Sequence, residues 1–412
     1  MKVGIIGAGI SGLSIGKILQ EHCNVTILEK EEYIGGIAHV KNMDGIPYHL
    51  VGGHCFNSKK KEVLDFVFDK VMPLEDWHKI DRNSVINIRG NNVPYPIEFS
   101  VKQIANFDTE LAFEITKDFL ATSSNANESS NLREWFIQTF GRKLAETYFI
   151  PYNQKIWGRD ISLMSPDWVK DKLPIPDKKE FFLGLIGAAY DKMPHSTFYY
   201  PNANTQNAFI NALAEGSPII TKYEVKCVEK SGSKWIINGE LEFDLIVNTG
   251  PLDTITPLIK NCPSDVTESA KRLKFNRVTT VFWKCIPDSA TWVYFPESNI
   301  PFHRRINIGT FLKPIQGYCI TECIGERSFE FATNFDWQKF GLIEPLSYNV
   351  SGPAYVIFDE SRNLSLSEIF SYFDSIGLIT LGRFGEWQYY NMDVCILKAI
   401  ETANSIRIKY QF

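Results

Sequence analysis

The stretch Lys2–Lys30, KVGIIGAGISGLSIGKILQEHCNVTILEK, decides how the rest of the chain is organised. Its apolar runs and their spacing predict a strand, a glycine turn, a helix and a second strand. In such a unit Gly7 permits the tight turn, Gly9 lets the backbone approach a pyrophosphate, and Gly12 lets helix and strand pack closely. The stretch therefore predicts a dinucleotide-binding fold, with phosphates at the helix N-terminus and ribose hydroxyls on Glu29. A glycine turn without a ligand is the alternative.

A second glycine pair, Gly35-Gly36, follows soon after Glu29. Such a pair allows another close backbone approach, which a long dinucleotide lying across the edge of the sheet would need. This arrangement resembles the flavin-binding oxidoreductases of the glutathione-reductase type, and it favours FAD over NAD. An ordinary loop with two glycines is the other interpretation.

Composition limits the classes of partner. The chain has 412 residues, of which 44% are hydrophobic and 22% charged, with a net charge of −5. A net acidic chain has no bulk basic field for nucleic acid, so an anionic ligand needs a local cationic pocket. The eight cysteines form no CxxC pair, which indicates reduced thiols in a cytoplasmic protein. No run is long enough to span a bilayer, and we expect no metal site.

The predicted fold class is α/β, a Rossmann-type FAD-binding domain with an inserted helical domain and an antiparallel β-sheet domain. Among the shorter segments, Asn207–Ala214 is predicted as a helix and Lys222–Val228 as a strand. The expected boundaries are residues 1–80, 200–255 and 375–412 for the discontinuous FAD-binding domain, 100–190 for the helical domain, and 81–99 and 256–374 for the sheet domain.

Five short stretches, in order along the chain, resemble motifs of the UDP-galactopyranose mutase family. The matching stretches are Gly52–Ser58 (GGHCFNS), Val93–Pro96 (VPYP), Pro151–Gly158 (PYNQKIWG), Pro301–Arg304 (PFHR) and Gly382–Asp393, which contains GRFG and YYNMD. One match alone would mean little. Five in order behind a dinucleotide fold extend the resemblance over nearly the whole chain.

For the cofactor, the resemblance implies that His54 lies against the flavin and tunes it. It also implies that Arg383 and the start of the last helix, at Met392, contact FAD. The chain departs from the family pattern at Asn391, where an Asp is frequent.

For the substrate, the resemblance implies that Arg304 binds a diphosphate, where its planar fork suits bidentate contacts. Tyr152 and Trp157 would hold the uridine nucleotide or the sugar, and Tyr389 would lie near the diphosphate. The family has a second diphosphate Arg after the tryptophan motif, and this chain has none in that region. We expect Lys172 to substitute as a point charge.

The activity that the resemblance implies is interconversion of the pyranose and furanose forms of a nucleotide-diphosphate sugar. No side chain in the sequence is an obvious nucleophile at the anomeric carbon. The family uses N5 of reduced FAD, so the cofactor would carry the chemistry and Arg304 would stabilise the leaving diphosphate. The flavin would need an electron donor, for which NADH and NADPH are the candidates. A homo-oligomer is left open.

Two other functions fit parts of the sequence. A flavin-dependent amine oxidase or dehydrogenase would share the nucleotide fold and the inserted sheet, and would use oxidised FAD as hydride acceptor. The missing second Arg favours it, whereas the motifs around Tyr152, Trp157 and Arg304 oppose it. The third candidate is an FAD-binding protein without catalytic activity, which Asn391 and the missing Arg favour.

Overall fold

The structure, a computed structural model, describes residues 1–122, 129, 131–169, 173–188 and 196–411. The predicted substrate residue Lys172 lies outside these ranges. The strands in chain order are β1 Lys2–Ile6, β2 Asn24–Leu28, β3 Val40–Met43, β4 Ile46–His49, β5 Trp77–Asp81, β6 Ser84–Ile88, β7 Asn91–Pro94, β8 Thr197–Pro201, β9 Ile219–Ile220, β10 Val228–Ser231, β11 Lys234–Ile237, β12 Leu241–Phe243, β13 Leu245–Asn248, β14 Phe275–Asn276, β15 Val278–Cys285, β16 Trp292–Tyr294, β17 Arg304–Ile306, β18 Tyr318–Ile324, β19 Leu342–Val350, β20 Tyr355–Val356 and β21 Ile379–Thr380.

The α-helices are α1 Ile10–Leu19, α2 Lys61–Asp65, α3 Val101–Ala105, α4 Thr109–Ala121, α5 Leu132–Phe140, α6 Arg142–Leu144, α7 Ile150–Trp157, α8 Lys178–Leu185, α9 Asn207–Ala214, α10 Leu252–Ile255, α11 Ser264–Arg272, α12 Phe329–Thr333, α13 Arg362–Ile376, α14 Gly382–Gly385 and α15 Met392–Tyr410. The helix predicted at Asn207–Ala214 is confirmed as α9. Within the described ranges, none of the helices is both long enough and apolar enough to cross a bilayer.

A five-stranded parallel sheet has β1 at its centre, in the order β21-β13-β1-β2-β9. Successive β1 residues point to opposite faces, so Ile5 packs in the core shared with α1 and α15, and Ile6 packs in the core shared with α10, α11 and α13. Both faces are covered, as a parallel sheet requires. The segments from the two ends of the chain therefore complete one sheet, and the predicted α/β class is confirmed.

The second large sheet has seven strands in the order β19-β15-β18-β17-β16-β6-β7. Its neighbours are antiparallel except for β16 and β6, which run parallel. The predicted antiparallel sheet is therefore found, with this one parallel pair within it. The two strands come from distant parts of the chain, so no hairpin turn forces them to be antiparallel.

The helical region α3–α8 is held together by aromatic packing. Asp108 and Asn131 start α4 and α5 because their side chains accept the backbone N–H groups of residues 111 and 134. Phe140 and Phe149 stack with centroids 4.1 Å apart inside the core of this region. Most aromatic residues of α5–α7 are therefore core residues.

The strand predicted at Lys222–Val228 is wrong, because only its last residue enters β10. The side-chain oxygen of Asn238 accepts the backbone N–H groups of Lys226 and Cys227, at 2.7 and 3.1 Å. These backbone N–H groups therefore bond to a side chain instead of to a neighbouring strand. A pattern of β-branched residues in the sequence cannot predict such a bond.

Glu98 gives a prediction about stability and pH. Its side chain is 2% exposed, and its Oε1 has no hydrogen-bond partner among the described residues. Burial raises the pKa of this carboxyl to about 8, whereas in the unfolded chain it is about 4.3. Between these values the folded state holds a proton that the unfolded state has lost, so Glu98 makes the protein less stable as pH rises.

We expect Glu98→Gln to remove this slope and to raise the apparent free energy of unfolding at pH 8 by about 1–3 kcal/mol. Urea unfolding at pH 5 and pH 8 would measure it. The control is Glu360→Gln at an exposed position, which should leave the slope unchanged. A parent-like slope in Glu98→Gln would mean that Glu98 is ionised in the folded protein.

Candidate functional site

In the glycine turn between β1 and α1, some glycines are needed for packing and another leaves space for a ligand. Gly7 has φ +98°, a left-handed conformation, and a Cβ on Gly12 would overlap the carbonyl oxygen of Gly7. Both positions need glycine for the packing of the turn itself. A Cβ on Gly9 would meet no protein atom within 4 Å. Space therefore lies open in front of Gly9, where a pyrophosphate is predicted.

The second glycine pair lies beside the first turn. Gly35 forms an isolated bridge with Gly9, and its N–H donates to the carbonyl of Ala8 at 2.8 Å. Gly36 has φ +56°, and a Cβ there would lie 3.2 Å from the Cα of Gly9. The second segment can approach Gly9 this closely because Gly36 carries no side chain.

Glu29 is placed at the end of β2 and is 8% exposed. Its carboxylate accepts the backbone N–H of Ala8 at 2.8 Å and that of Glu31 at 3.0 Å. The acid therefore ties the strand to the glycine turn. Two carboxylate oxygens offer about four acceptor positions, so acceptor capacity is left for the ribose hydroxyls expected there.

A third glycine turn, at the start of α14, packs on the first helix. Gly382 has φ +91°, and a Cβ there would overlap the side chain of Ser11. Arg383 donates to the carbonyls of Tyr390 and Ala354 at 3.0 and 2.5 Å. Its Nε is buried and has no partner among the described residues. The C-terminal segment thus brings a partly satisfied guanidinium to this end of the sheet.

Met392 begins α15, and its sulfur lies 3.8 Å from the side-chain nitrogen of Gln206. Gln206 is fully buried, and its side-chain oxygen has no partner among the described residues. A second unpartnered polar atom therefore lies beside the predicted cofactor residue Met392.

His54 lies in the loop after β4, and its Nε2 is buried without a partner among the described residues. Its backbone N–H donates to Nδ1 of His49 at 3.1 Å, so His49 is a neutral ring that carries its proton on Nε2, 2.9 Å from the hydroxyl of Tyr200. Burial lowers the pKa of His54 to about 4, and Arg383 and Arg304 contribute further. His54 is therefore a neutral imidazole at pH 7.

Arg304 faces the His54 loop from the seven-stranded sheet, and a Cβ on Gly52 would lie 3.0 Å from its Nη2. Its Nε donates to Glu322 at 2.7 Å, and its Nη2 donates to the hydroxyl of Tyr355 at 2.6 Å. That hydroxyl in turn donates to Glu322 at 2.8 Å. Burial alone would raise the pKa of Glu322, but Arg304, His303 and these hydrogen bonds hold it below its usual value.

Strand register explains this cluster. Thr280, Glu322, Arg304 and Tyr294 are successive cross-strand partners on β15, β18, β17 and β16, so they share one face of the sheet. Arg305 points to the opposite face, as strand alternation predicts, and contacts Asp288 and the carbonyl of Phe340.

Sequence reasoning missed Glu322 and Tyr355. A signal was present for Glu322, since a carboxylate in the apolar run YCITECI of β18 needs a buried cationic partner. Its partner could not be read from the sequence, because Arg304 is on a different strand.

The predicted aromatic residues divide into two groups. Tyr389 stacks on Tyr355 with centroids 5.6 Å apart and meets Trp168 edge-on, and Tyr152 meets Tyr294 edge-on at 5.6 Å. These rings surround Arg304. Direct contact of Trp157 with nucleotide or sugar does not fit this structure, because Trp157 is 1% exposed and packs edge-on against Trp168.

A depression of about 790 Å³ opens on the surface beside the segment after β2, and no residue of the Arg304 cluster lines it. It is lined by Lys30, Glu31, Lys222, Tyr223, Glu224, Lys226, Cys227 and Asn238. Tyr223 donates its backbone N–H to the carbonyl of Glu29 at 2.8 Å. The depression therefore adjoins the segment that follows β2 at Glu29.

The described residues fit a bound dinucleotide. Gly9 leaves space that a Cβ would enter, and among the described residues no hydrogen-bond partner is found for the buried Nε2 of His54, Nε of Arg383 and Oε1 of Gln206. Buried polar atoms are nearly always satisfied, so a polar group that is not protein is expected beside them.

Comparison with known proteins gives the class. The sequence profile of the family described as flavin containing amine oxidoreductase matches residues 10–285, more than half of the chain. The chain belongs to this family, and a flavin is therefore the cofactor class that fits the glycine turns.

More particular similarities include sugar mutases, the family that the motifs resemble. The UDP-galactopyranose mutase of Mycoplasma genitalium is 22% identical over 98% of this chain and 94% of the relative. The dTDP-fucopyranose mutase of Escherichia coli is 26% identical over 49% of this chain and 55% of the relative. A crystal structure of reduced UDP-galactopyranose mutase superposes with a TM-score of 0.82 at 20% identity, covering 98% of this chain and 93% of that one. The predicted resemblance and the overall fold are thereby confirmed.

Proposed function

We propose that this chain is an FAD-dependent mutase that interconverts the pyranose and furanose forms of a nucleotide-diphosphate sugar. The observation that carries the proposal is a similarity to a UDP-galactopyranose mutase along 98% of the chain, which includes the Arg304 strand. When bound in its reduced form, FAD supplies through N5 the nucleophile that the side chains lack.

The contacts of the residues support the role that is proposed for each. Neutral His54 is a hydrogen-bond partner for the flavin through its unpartnered Nε2, and Arg383 and the start of α15 at Met392 help to hold FAD. Arg304 uses Nε and Nη2 on Glu322 and Tyr355, which leaves Nη1 to bind the diphosphate and stabilise it as it leaves.

The ring faces of Tyr389 and Tyr152 border the space near Arg304, where they suit a nucleobase or a sugar. Trp157 supports these rings indirectly, because it packs against Trp168, which contacts Tyr389. Lys172 is the proposed second contact to the diphosphate. Glu29, Gly7, Gly9, Gly12, Gly35 and Gly36 bind the ADP part of FAD.

The test is product analysis. Anaerobic protein reduced with dithionite should convert UDP-galactofuranose to its pyranose form, followed by NMR, and fully oxidised protein should not. Other nucleotide sugars would be compared in the same assay, with dithionite alone as the control. NADH or NADPH should replace dithionite if either is the donor. No conversion of any nucleotide sugar by reduced protein would reject the proposal.

A flavin-dependent amine oxidase is the second candidate, and the family profile over residues 10–285 favours it. It requires oxidised flavin as hydride acceptor. Oxygen uptake with a panel of amines, together with bleaching of the flavin under anaerobic conditions, would establish it in place of the mutase.

A further inference from the structure

Arg82 is a partly buried guanidinium that the proposed mechanism leaves unused. Its Nε donates to the hydroxyl of Ser84 and its Nη2 to the hydroxyl of Tyr294, both at 2.9 Å, and the group lies 4.7 Å above the ring of Trp292. Among the described residues, no acidic side chain lies within 4 Å of it. Its Nη1 has no described partner and is not sealed from solvent. Arg82 therefore holds an uncompensated charge and free N–H donors.

The position of Arg82 ties it to the Arg304 cluster. Tyr294, which fixes its Nη2, is the direct cross-strand partner of Arg304 on the same face of the sheet. The same tyrosine packs edge-on against Tyr152 with centroids 5.6 Å apart. Arg82 is also close enough to Cys55, the residue after His54, to lower the pKa of its thiol, although burial raises it overall.

The positive charges near Arg304 are largely compensated or absent, so an uncompensated charge on Arg82 matters for binding an anion. The charge of Arg304 is matched by that of Glu322, which is fully buried, and His54 and His303 are neutral because burial lowers the pKa of each, to about 4 and about 3. A diphosphate carries about two negative charges. The Arg304 cluster alone therefore offers a hydrogen-bond donor but little net positive charge.

Other nearby cations are committed to backbone groups. Lys155 donates to the carbonyls of Phe295 and Glu297 at 2.9 and 2.8 Å. Arg383 donates hydrogen bonds from Nη1 and Nη2 to two further backbone carbonyls. Arg82 is the guanidinium of this part of the described chain that keeps both its charge and an unused Nη1.

We propose that Arg82 is a further cationic contact of the substrate site, beside Arg304 and the proposed Lys172, and binds a phosphate of the nucleotide diphosphate. The inference rests on the proposed function, because it takes a nucleotide diphosphate as ligand. Tyr294 and Trp292 hold the guanidinium in one orientation, so its planar fork is preorganised for phosphate oxygens.

The test compares a charged and an uncharged ligand. UDP and uridine would be titrated against FAD-loaded parent and Arg82→Met, with binding followed by flavin or tryptophan fluorescence. We expect Arg82→Met to weaken UDP binding about 10- to 150-fold, the equivalent of hydrogen bonds to charged groups. Uridine affinity should change by less than about twofold. Raising the salt concentration should weaken UDP binding more in the parent than in the variant.

Arg89→Met is the matched control, because it changes the net charge equally at an exposed ion pair with Asp108 and should leave UDP affinity unchanged. Arg82→Lys, which keeps the charge without the fork, should lose part of the UDP affinity and none of the uridine affinity. It also serves as the folding-tolerant variant if Arg82→Met does not retain FAD.

Two results would overturn the inference. If UDP binds Arg82→Met or Arg82→Lys as tightly as the parent, no phosphate contacts Arg82. If UDP and uridine weaken equally, Arg82 only supports Tyr294 and Tyr152. A parent that binds neither UDP nor a nucleotide sugar would instead reject the proposed function, so the two failures are distinguishable.

Discussion

Gly9→Val is expected to give a folded protein that binds no flavin. A Cβ at this position meets no protein atom within 4 Å, and Gly9 has φ −76°, a conformation that any residue adopts. Folding should therefore tolerate the substitution. The branched side chain would, however, fill the space that a pyrophosphate needs to reach the helix N-terminus. Purified variant should be colourless, because the side chain excludes the pyrophosphate from the helix N-terminus instead of weakening a single contact.

Two other glycines make this result interpretable. Gly352→Val also introduces a side chain into open space, at an exposed position outside the glycine turns, and should retain flavin. Gly12→Ala should fail to fold correctly, because its Cβ overlaps the carbonyl of Gly7. Far-UV circular dichroism and flavin absorbance would separate the three variants. A folded Gly9→Val protein with the parent's flavin content would mean that the dinucleotide does not lie at this turn.

The N-terminal unit could be predicted because its information is local. Strand, turn and helix are fixed by residues within one stretch, and the alternation of Ile5 and Ile6 between two cores is a property of any strand. The position of Arg305 opposite Arg304 followed from the same alternation. Local patterns predict elements and the face to which each side chain points.

Partners across strands could not be predicted in this way. The ion pair of Arg304 with Glu322 depends on the register of β17 against β18, which alternation within one strand does not set. Trp157 has the spacing of a ligand-binding ring, but packing against Trp168 buries it. The environment of such residues is set by long-range packing. A sequence motif alone could not decide whether each one lies in the binding site or in the core.

Arg304→Met is expected to lower the apparent free energy of unfolding by about 3–5 kcal/mol, because it leaves a buried carboxylate without its cation. The side chain of Glu322 is fully buried, and that of Arg304 is 16% exposed. The double variant Arg304→Met/Glu322→Gln removes both charges and should recover much of this loss. Any effect of Arg304 on nucleotide binding is therefore best measured against the double variant, where loss of stability does not confound it.

The sign of the pH dependence provides the sharper test. In the parent the pKa of Glu322 is held below its usual value, chiefly by Arg304 against the opposing effect of burial, so this group stabilises the fold above pH 4–5 and the benefit is lost in acid. In Arg304→Met only burial and weaker partners remain, and the pKa should rise above the unfolded value of about 4.3. The variant should then lose more stability than the parent as pH rises from 5 to 7.5, because in the parent Glu322 is ionised in both the folded and the unfolded state over this range and adds no slope.

Urea unfolding of parent, Arg304→Met and the double variant at pH 5 and pH 7.5 would measure this additional pH dependence. Arg305→Met is the matched control on the same strand, because its partner Asp288 keeps 31% of its side chain exposed. It should cost less stability and keep the parent's pH trend. A small loss in Arg304→Met with an unchanged trend would mean that water or another cation reaches Glu322. The face of the sheet around Arg304 would then be hydrated. A diphosphate binding there would have to displace that water, so its binding free energy would be small.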